Sequence, residues 1–81
     1  MDQQGIETKV IEVLAVEFGM EKSELNASMG PEDIENWDSM THVSLTASLE
    51  EAFEINFEIE EVMEMENITA IIEIINRKTA A

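Results

Sequence analysis

Asp38-Ser39-Met40-Thr41-His42-Val43-Ser44-Leu45-Thr46-Ala47-Ser48-Leu49-Glu50-Glu51-Ala52-Phe53 is the stretch around which the chain can be organised. Leu45, Leu49, Ala52 and Phe53 recur at spacings of three and four, the pattern of one buried helix face, with His42 just above them. Asp38 stands where an N-cap belongs. The spacing therefore predicts a helix over Ser39 to Phe53. Met40, Val43 and Ala47 form a second apolar strip beside the first. One core contact does not need both strips. Either the helix is wedged between two neighbours or one strip faces a partner.

Upstream, Ile6, Val10, Val13, Leu14 and Phe18 predict a helix over Gln3 to Phe18, with Gly19 as its stop. Met20 to Asp38 has weak periodicity and reads as a long loop, with Leu25 and Ile34 able to pin it to a core. Pro31 suggests a short helical turn near Glu32–Asn36. Downstream, the alternation of Ile55, Phe57 and Ile59 reads as an extended connector, followed by a short turn over Glu60–Met65. Ile68, Ile71, Ile72 and Ile75 predict a last helix over Ile68 to Arg77, with Asn67 as N-cap and Arg77 and Lys78 at the negative end. The expected fold is all-α: a small bundle of three main helices plus a short third helical turn, with a long loop between the first and second helices. Residues 1–81 read as a single domain.

Charge narrows the function classes. There are 19 acidic against 4 basic residues, a formal net charge of −15, and no Lys or Arg between Lys22 and Arg77. Nucleic acid is not an expected partner, because its binding rests largely on phosphate neutralisation. Membrane insertion is not expected either, since the apolar runs are far shorter than the roughly 20 residues of a spanning helix. The chain should attract proteins with basic patches and gain association rate from them. A disordered acidic tail is a poor reading, because 44% of the residues are hydrophobic and recur at helical spacing. No basic-then-apolar leader pattern opens the sequence, so a cytoplasmic location is the expectation. A monomer is expected as well.

Ordinary catalysis has few means here. The chain has one histidine, no cysteine and no tyrosine, and no Gly-x-Ser-x-Gly turn presents Ser39 to His42. Acids are abundant, but the calcium-loop pattern around a central glycine is missing, so no metal site is expected. What remains is Asn36-Trp37-Asp38-Ser39-Met40, where a long loop ends and a helix begins. A phosphodiester on Ser39 would sit well at a helix start. Read locally, Asp38 is a cap and Trp37 an anchor for the loop end.

The order of these features resembles the acyl carrier protein family. Its Asp-Ser-Leu at the start of the second helix reads Asp38-Ser39-Met40 here. Val43, Leu45, Leu49-Glu50-Glu51 and Phe53 are similar to the family's second helix, and Glu60-Glu61, Ile68, Ile71-Ile72 and Ile75 to its third and fourth. The resemblance covers nearly the whole chain. It implies that a phosphopantetheinyl transferase (a carrier-protein synthase) attaches 4′-phosphopantetheine from coenzyme A to Ser39, flanked by Asp38 and Met40. The arm's thiol would carry an acyl group as a thioester to acyl-transferring or acyl-modifying enzymes of fatty-acid, polyketide or related lipid biosynthesis. The resemblance assigns docking to Asp38, Met40, Val43, Ser44, Ala47, Glu50 and Glu51, against basic patches on those enzymes. It assigns shelter for the acyl chain to His42, Leu45, Leu49, Phe53, Val62 and Ile68. The chain itself would not be an enzyme. Thr41 and Ser44 stand where fatty-acid carriers usually have acids, Trp37 where a small residue is common, and the Gly30-Pro31-Glu32 loop also differs. These departures suit a carrier dedicated to a specialised pathway, such as cell-surface precursor assembly, as readily as the general fatty-acid carrier. An aminoacyl or peptidyl carrier is the alternative within the family. A non-covalent acidic interaction module, with Ser39 only a cap residue, is the alternative outside it.

Overall fold

The computed structural model describes residues 3–79. It comprises α1 (Gln3–Phe18), a 3-10 turn (Lys22–Glu24), α2 (Ser39–Phe53), α3 (Ile59–Met63) and α4 (Ile68–Thr79). The architecture is the expected all-helical bundle of three main helices and one short one. No helix among the described residues is long and apolar enough to cross a membrane.

α1 packs against both α2 and α4. Its Ile6, Val10, Leu14 and Phe18 meet Leu45 and Leu49 of α2 and Ile68, Ile71 and Ile75 of α4 in one core. Each such side chain contributes roughly 1.5–3 kcal/mol by leaving water. Val13 and Phe53, expected in the buried stripes, pack at the edge of this core instead. Lys9 covers Phe53, its Nζ 5.2 Å from the ring centre.

Both long helices before the connector end in the same way. Gly19 has φ +66°, Met20 N–H bonds to Ala15 C=O at 3.0 Å and Gly19 N–H to Val16 C=O at 3.3 Å. That is a Schellman cap, and glycine fits its left-handed position without strain. α2 repeats the turn with Glu54 at φ 56°, Ile55 N–H bonding to Glu50 C=O at 3.0 Å. A residue with a Cβ in that position costs roughly 1–2 kcal/mol.

The long loop is a structural element. Leu25, Ile34 and Trp37 are buried in the core, as expected of the first two. The helical turn expected near Glu32–Asn36 does not form. Separate reverse turns take its place: Asp33 N–H bonds to Gly30 C=O at 2.9 Å while Trp37 N–H bonds to Ile34 C=O at 3.1 Å. Asp33 Oδ2 accepts from Gly30 N–H at 3.1 Å within the first turn, and Asn36 Nδ2 donates to Phe18 C=O at 2.8 Å, which ties the end of the segment to α1. The short helix lies earlier, at Lys22–Glu24, where Glu24 Oε1 accepts from Glu21 N–H at 2.9 Å.

The connector is confined to 55–58, which carry no helix, with Ile55 and Phe57 packed on the core edge. Ile59 does not continue the alternation. It opens α3 and is 78% exposed. The turn expected at Glu60–Met65 begins and ends earlier, because Glu61 Oε1 accepts from Glu58 N–H at 2.7 Å and so fixes the helix start. α4 continues two residues past Arg77 to Thr79. Lys78 Nζ lies 2.8 Å from Glu61 Oε1 and Arg77 Nη2 3.9 Å from Glu64 Oε1, tying α4 to the α3 region.

Candidate functional site

Ser39 is the first residue of α2 and is exposed. Asp38 is its N-cap: Oδ1 accepts from Thr41 N–H at 2.9 Å, and its own carbonyl accepts from His42 N–H at 2.8 Å. The Thr41 backbone N–H, helped by the Thr41 side chain, holds the Asp38 carboxyl below the usual carboxylate range. Asp38 is therefore a fixed anion beside the Ser39 hydroxyl at neutral pH.

The residues just before Ser39 are nailed down. Trp37 is only 5% exposed, and its ring lies 5.2 Å from that of Phe18 at the end of α1. Its Nε1–H donates to His42 Nδ1 at 2.9 Å, and His42 Nε2 lies 3.0 Å from Val62 C=O on α3. Asn36 is tied to Phe18 C=O. The loop end, α1, α2 and α3 thus converge just behind an exposed serine. Both ring nitrogens of His42 are engaged, which leaves none to activate Ser39.

The other α2 serines are differently placed. Ser44 Oγ donates to Glu17 Oε2 at 2.9 Å, and Ser48 Oγ donates to Glu17 Oε1. Glu17, which joins α1 to this face of α2, is thus a residue that sequence reading misses. Its partners lie 27 and 31 residues away, and no local spacing signals such a contact. Among the described hydrogen bonds, none uses the Ser39 hydroxyl.

The second apolar strip of α2 is not wedged against a neighbour. Met40 is 83% and Val43 65% exposed, and Ala47, Ser44 and Glu51 are exposed as well. These residues form one outward face leading from Ser39. Glu50 does not join them freely. It is half-buried, and its Oε2 accepts from Phe57 N–H at 2.8 Å, holding the connector to α2. Across the α2–α3 junction marked by His42 and Val62, α3 exposes Ile59 and Met63 as well.

Of the six residues assigned to acyl shelter, Leu45, Leu49 and Ile68 are fully buried in the core. His42, Phe53 and Val62 are half-buried. A guest between these residues has to displace packed side chains. Among the described residues no group of three or more His, Asp or Glu is disposed to hold a metal ion. No protein-family model matches the chain, and no curated protein matches it.

Proposed function

We propose that this chain is an acyl carrier protein, loaded with 4′-phosphopantetheine on Ser39. The single observation that carries the reading is the contrast at Ser39: an exposed hydroxyl on a helix start whose flanking residues are held from three sides. The likeness of Asp38-Ser39-Met40 and the following helix to the carrier family supplies the chemistry.

The arm fits the residues present. Solvent exposure at Ser39 leaves room for a chain leading away from the helix, and first-turn backbone dipoles favour a phosphodiester there. In loading, Ser39 Oγ attacks phosphorus in the diphosphate of coenzyme A. A serine–phosphate ester bond forms, adenosine 3′,5′-bisphosphate leaves, and the serine proton passes to a base of the transferase. Once attached, the arm supplies a thiol for thioester linkage, which a chain without cysteine lacks.

Met40, Val43 and Ala47 give partner enzymes an apolar landing strip beside the arm, with Asp38, Ser44 and Glu51 at its margins. Three of the four basic residues are occupied: Lys9 over Phe53, Arg77 near Glu64 and Lys78 on Glu61. The acids around α2 therefore meet partners with basic patches largely unneutralised, which speeds encounter without requiring tight binding. Glu50 contributes charge but also holds Phe57 N–H, so Glu51 is the cleaner site for a charge-reversal test. Cargo shelter among Leu45, Leu49 and Ile68, behind His42, Phe53 and Val62, requires the core to open toward α3.

The test is intact mass after incubation with coenzyme A and several active phosphopantetheinyl transferases. The carrier reading expects a gain of one phosphopantetheine in the wild type and none in Ser39→Ala. An unchanged wild-type mass with every transferase leaves only the non-covalent acidic module.

A further inference from the structure

We propose that His42 is a positioning residue for the Ser39 site: a neutral-imidazole bracket between Trp37 and Val62 whose Trp37 arm is lost on protonation. The bracket is read from hydrogen-bond chemistry. Its consequence for loading rests on the proposed role of Ser39.

Indole Nε1–H is a donor only, and a backbone carbonyl is an acceptor only. Trp37 Nε1 lies 2.9 Å from His42 Nδ1, so Nδ1 presents its lone pair. His42 Nε2 lies 3.0 Å from Val62 C=O, so Nε2 carries the proton and donates it. One neutral tautomer satisfies both contacts at once. Imidazolium cannot, because its Nδ1–H would point at the indole N–H, donor against donor. Trp37 is buried, so an indole N–H that loses its acceptor there is costly.

The bracket spans the site. Trp37 is two residues before Ser39, His42 is one turn after it, and Val62 is on α3. Protonation removes the Trp37 arm and loosens the loop end against α2, while Nε2–H keeps its bond to Val62 C=O and the Asp38 cap is unaffected. The charged groups on the surrounding elements do not replace the lost contact. Asp38 is engaged by Thr41 N–H, Glu61 by Glu58 N–H and Lys78, and Glu17 by Ser44 and Ser48. Glu58, Glu60 and Glu64 of the α3 region are exposed.

The experiment uses the unloaded full chain. Trp37 is its only tryptophan, so intrinsic fluorescence reports the bracket directly. Long-range proton–nitrogen NMR should find His42 protonated at Nε2 alone at neutral pH. As the pH is lowered, wild-type fluorescence should change together with the His42 resonances. His42→Gln can accept from Trp37 through Oε1 and donate to Val62 through Nε2, so its fluorescence should stay flat. His42→Ala should differ from wild type at neutral pH and show no titration. With a transferase, the wild-type to His42→Gln ratio of loading rates should fall severalfold toward acid, which cancels the enzyme's own pH response. A proton on Nδ1 at neutral pH, or equal fluorescence titration in His42→Gln, overturns the bracket. A bracket that titrates with an unchanged rate ratio overturns its positioning role. Absence of loading in every variant defeats the reading of Ser39, while the spectroscopic readouts still decide the bracket.

Discussion

The starts of α2 and α4 are built in opposite ways. At α4, Asn67 Oδ1 accepts from Ala70 N–H at 2.8 Å, and the long loop supplies further acceptors: Met29 C=O takes Ile68 N–H at 2.9 Å and Ala27 C=O takes Thr69 N–H at 2.8 Å. Thr69 Oγ1 also donates to Ala27 C=O at 2.7 Å. The donors of that helix end are consumed by protein. At α2, Asp38 takes Thr41 N–H, the loop end is fastened by Trp37 and Asn36, and Ser39 is left facing solvent. One helix start is closed for stability, and the other is fixed in place yet open. The same loop does both tasks, closing α4 from its middle and presenting α2 from its end.

The largest expected effect strikes the open start. Trp37→Ala removes a buried aromatic and the donor to His42, and should cost about 3–5 kcal/mol by chemical denaturation. Such a loss is a large share of the stability of a small domain. A cost below about 1 kcal/mol would mean that Trp37 does not anchor the loop end. Next comes the closed start. A Cβ on Gly30 would lie 2.6 Å from Glu66 C=O, against backbone that cannot easily yield. Gly30→Ala should cost about 1–3 kcal/mol and speed amide exchange at Ile68 and Thr69 while sparing Thr41. Equal acceleration at both helix starts would erase the distinction between them.

The two caps differ in their response to pH. Asn67→Ala should cost about 1 kcal/mol at any pH. The Asp38 cap works as a carboxylate with a depressed pKa, so its stabilisation is complete above the ordinary value of 3.8 and is lost as pH falls through the lowered one. Asp38→Ala should therefore destabilise near neutral pH, and progressively less in acid. Thermal melts of both variants against pH check this, and parallel profiles would contradict it. The smallest effect concerns the end of α2. Glu54→Gly should relieve the left-handed strain and stabilise by about 1 kcal/mol, provided the turn is kept. A destabilised Glu54→Gly would show that the side chain compensates for its backbone.

Much of the bundle was legible because its signals are local. Gly19 and Asp38 mark helix ends, and the stripes of α1, α2 and α4 face the core at helical spacing. The short elements were not, because a helix of one turn is decided by its surroundings. Glu21–Glu24 and Glu58–Glu61 each place a carboxylate on a backbone N–H three residues back, a pattern visible in retrospect at both short helices. At the candidate site, Ser39, Asp38 and the existence of a second apolar strip were readable from α2 alone, while the strip's exposure was not. Glu17, the second role of Glu50 and the contact between Gly30 and Glu66 were not, since each depends on chain segments brought together only by folding. Trp37 was read as an anchor for the loop end and His42 as lying just above the buried stripe of α2. Only the fold joins them to Val62.

The central claim is that Ser39, and no other serine of α2, is the presented hydroxyl. Ser44 and Ser48 share its helix and so control for local sequence, but both donate to Glu17. The most direct measurement is fragmentation mass spectrometry of the wild-type chain after treatment with coenzyme A and a phosphopantetheinyl transferase. The account predicts the phosphopantetheine mass on Ser39 alone. A modification localised to Ser44 or Ser48, or an unmodified chain alongside a control carrier that is fully loaded, would contradict it.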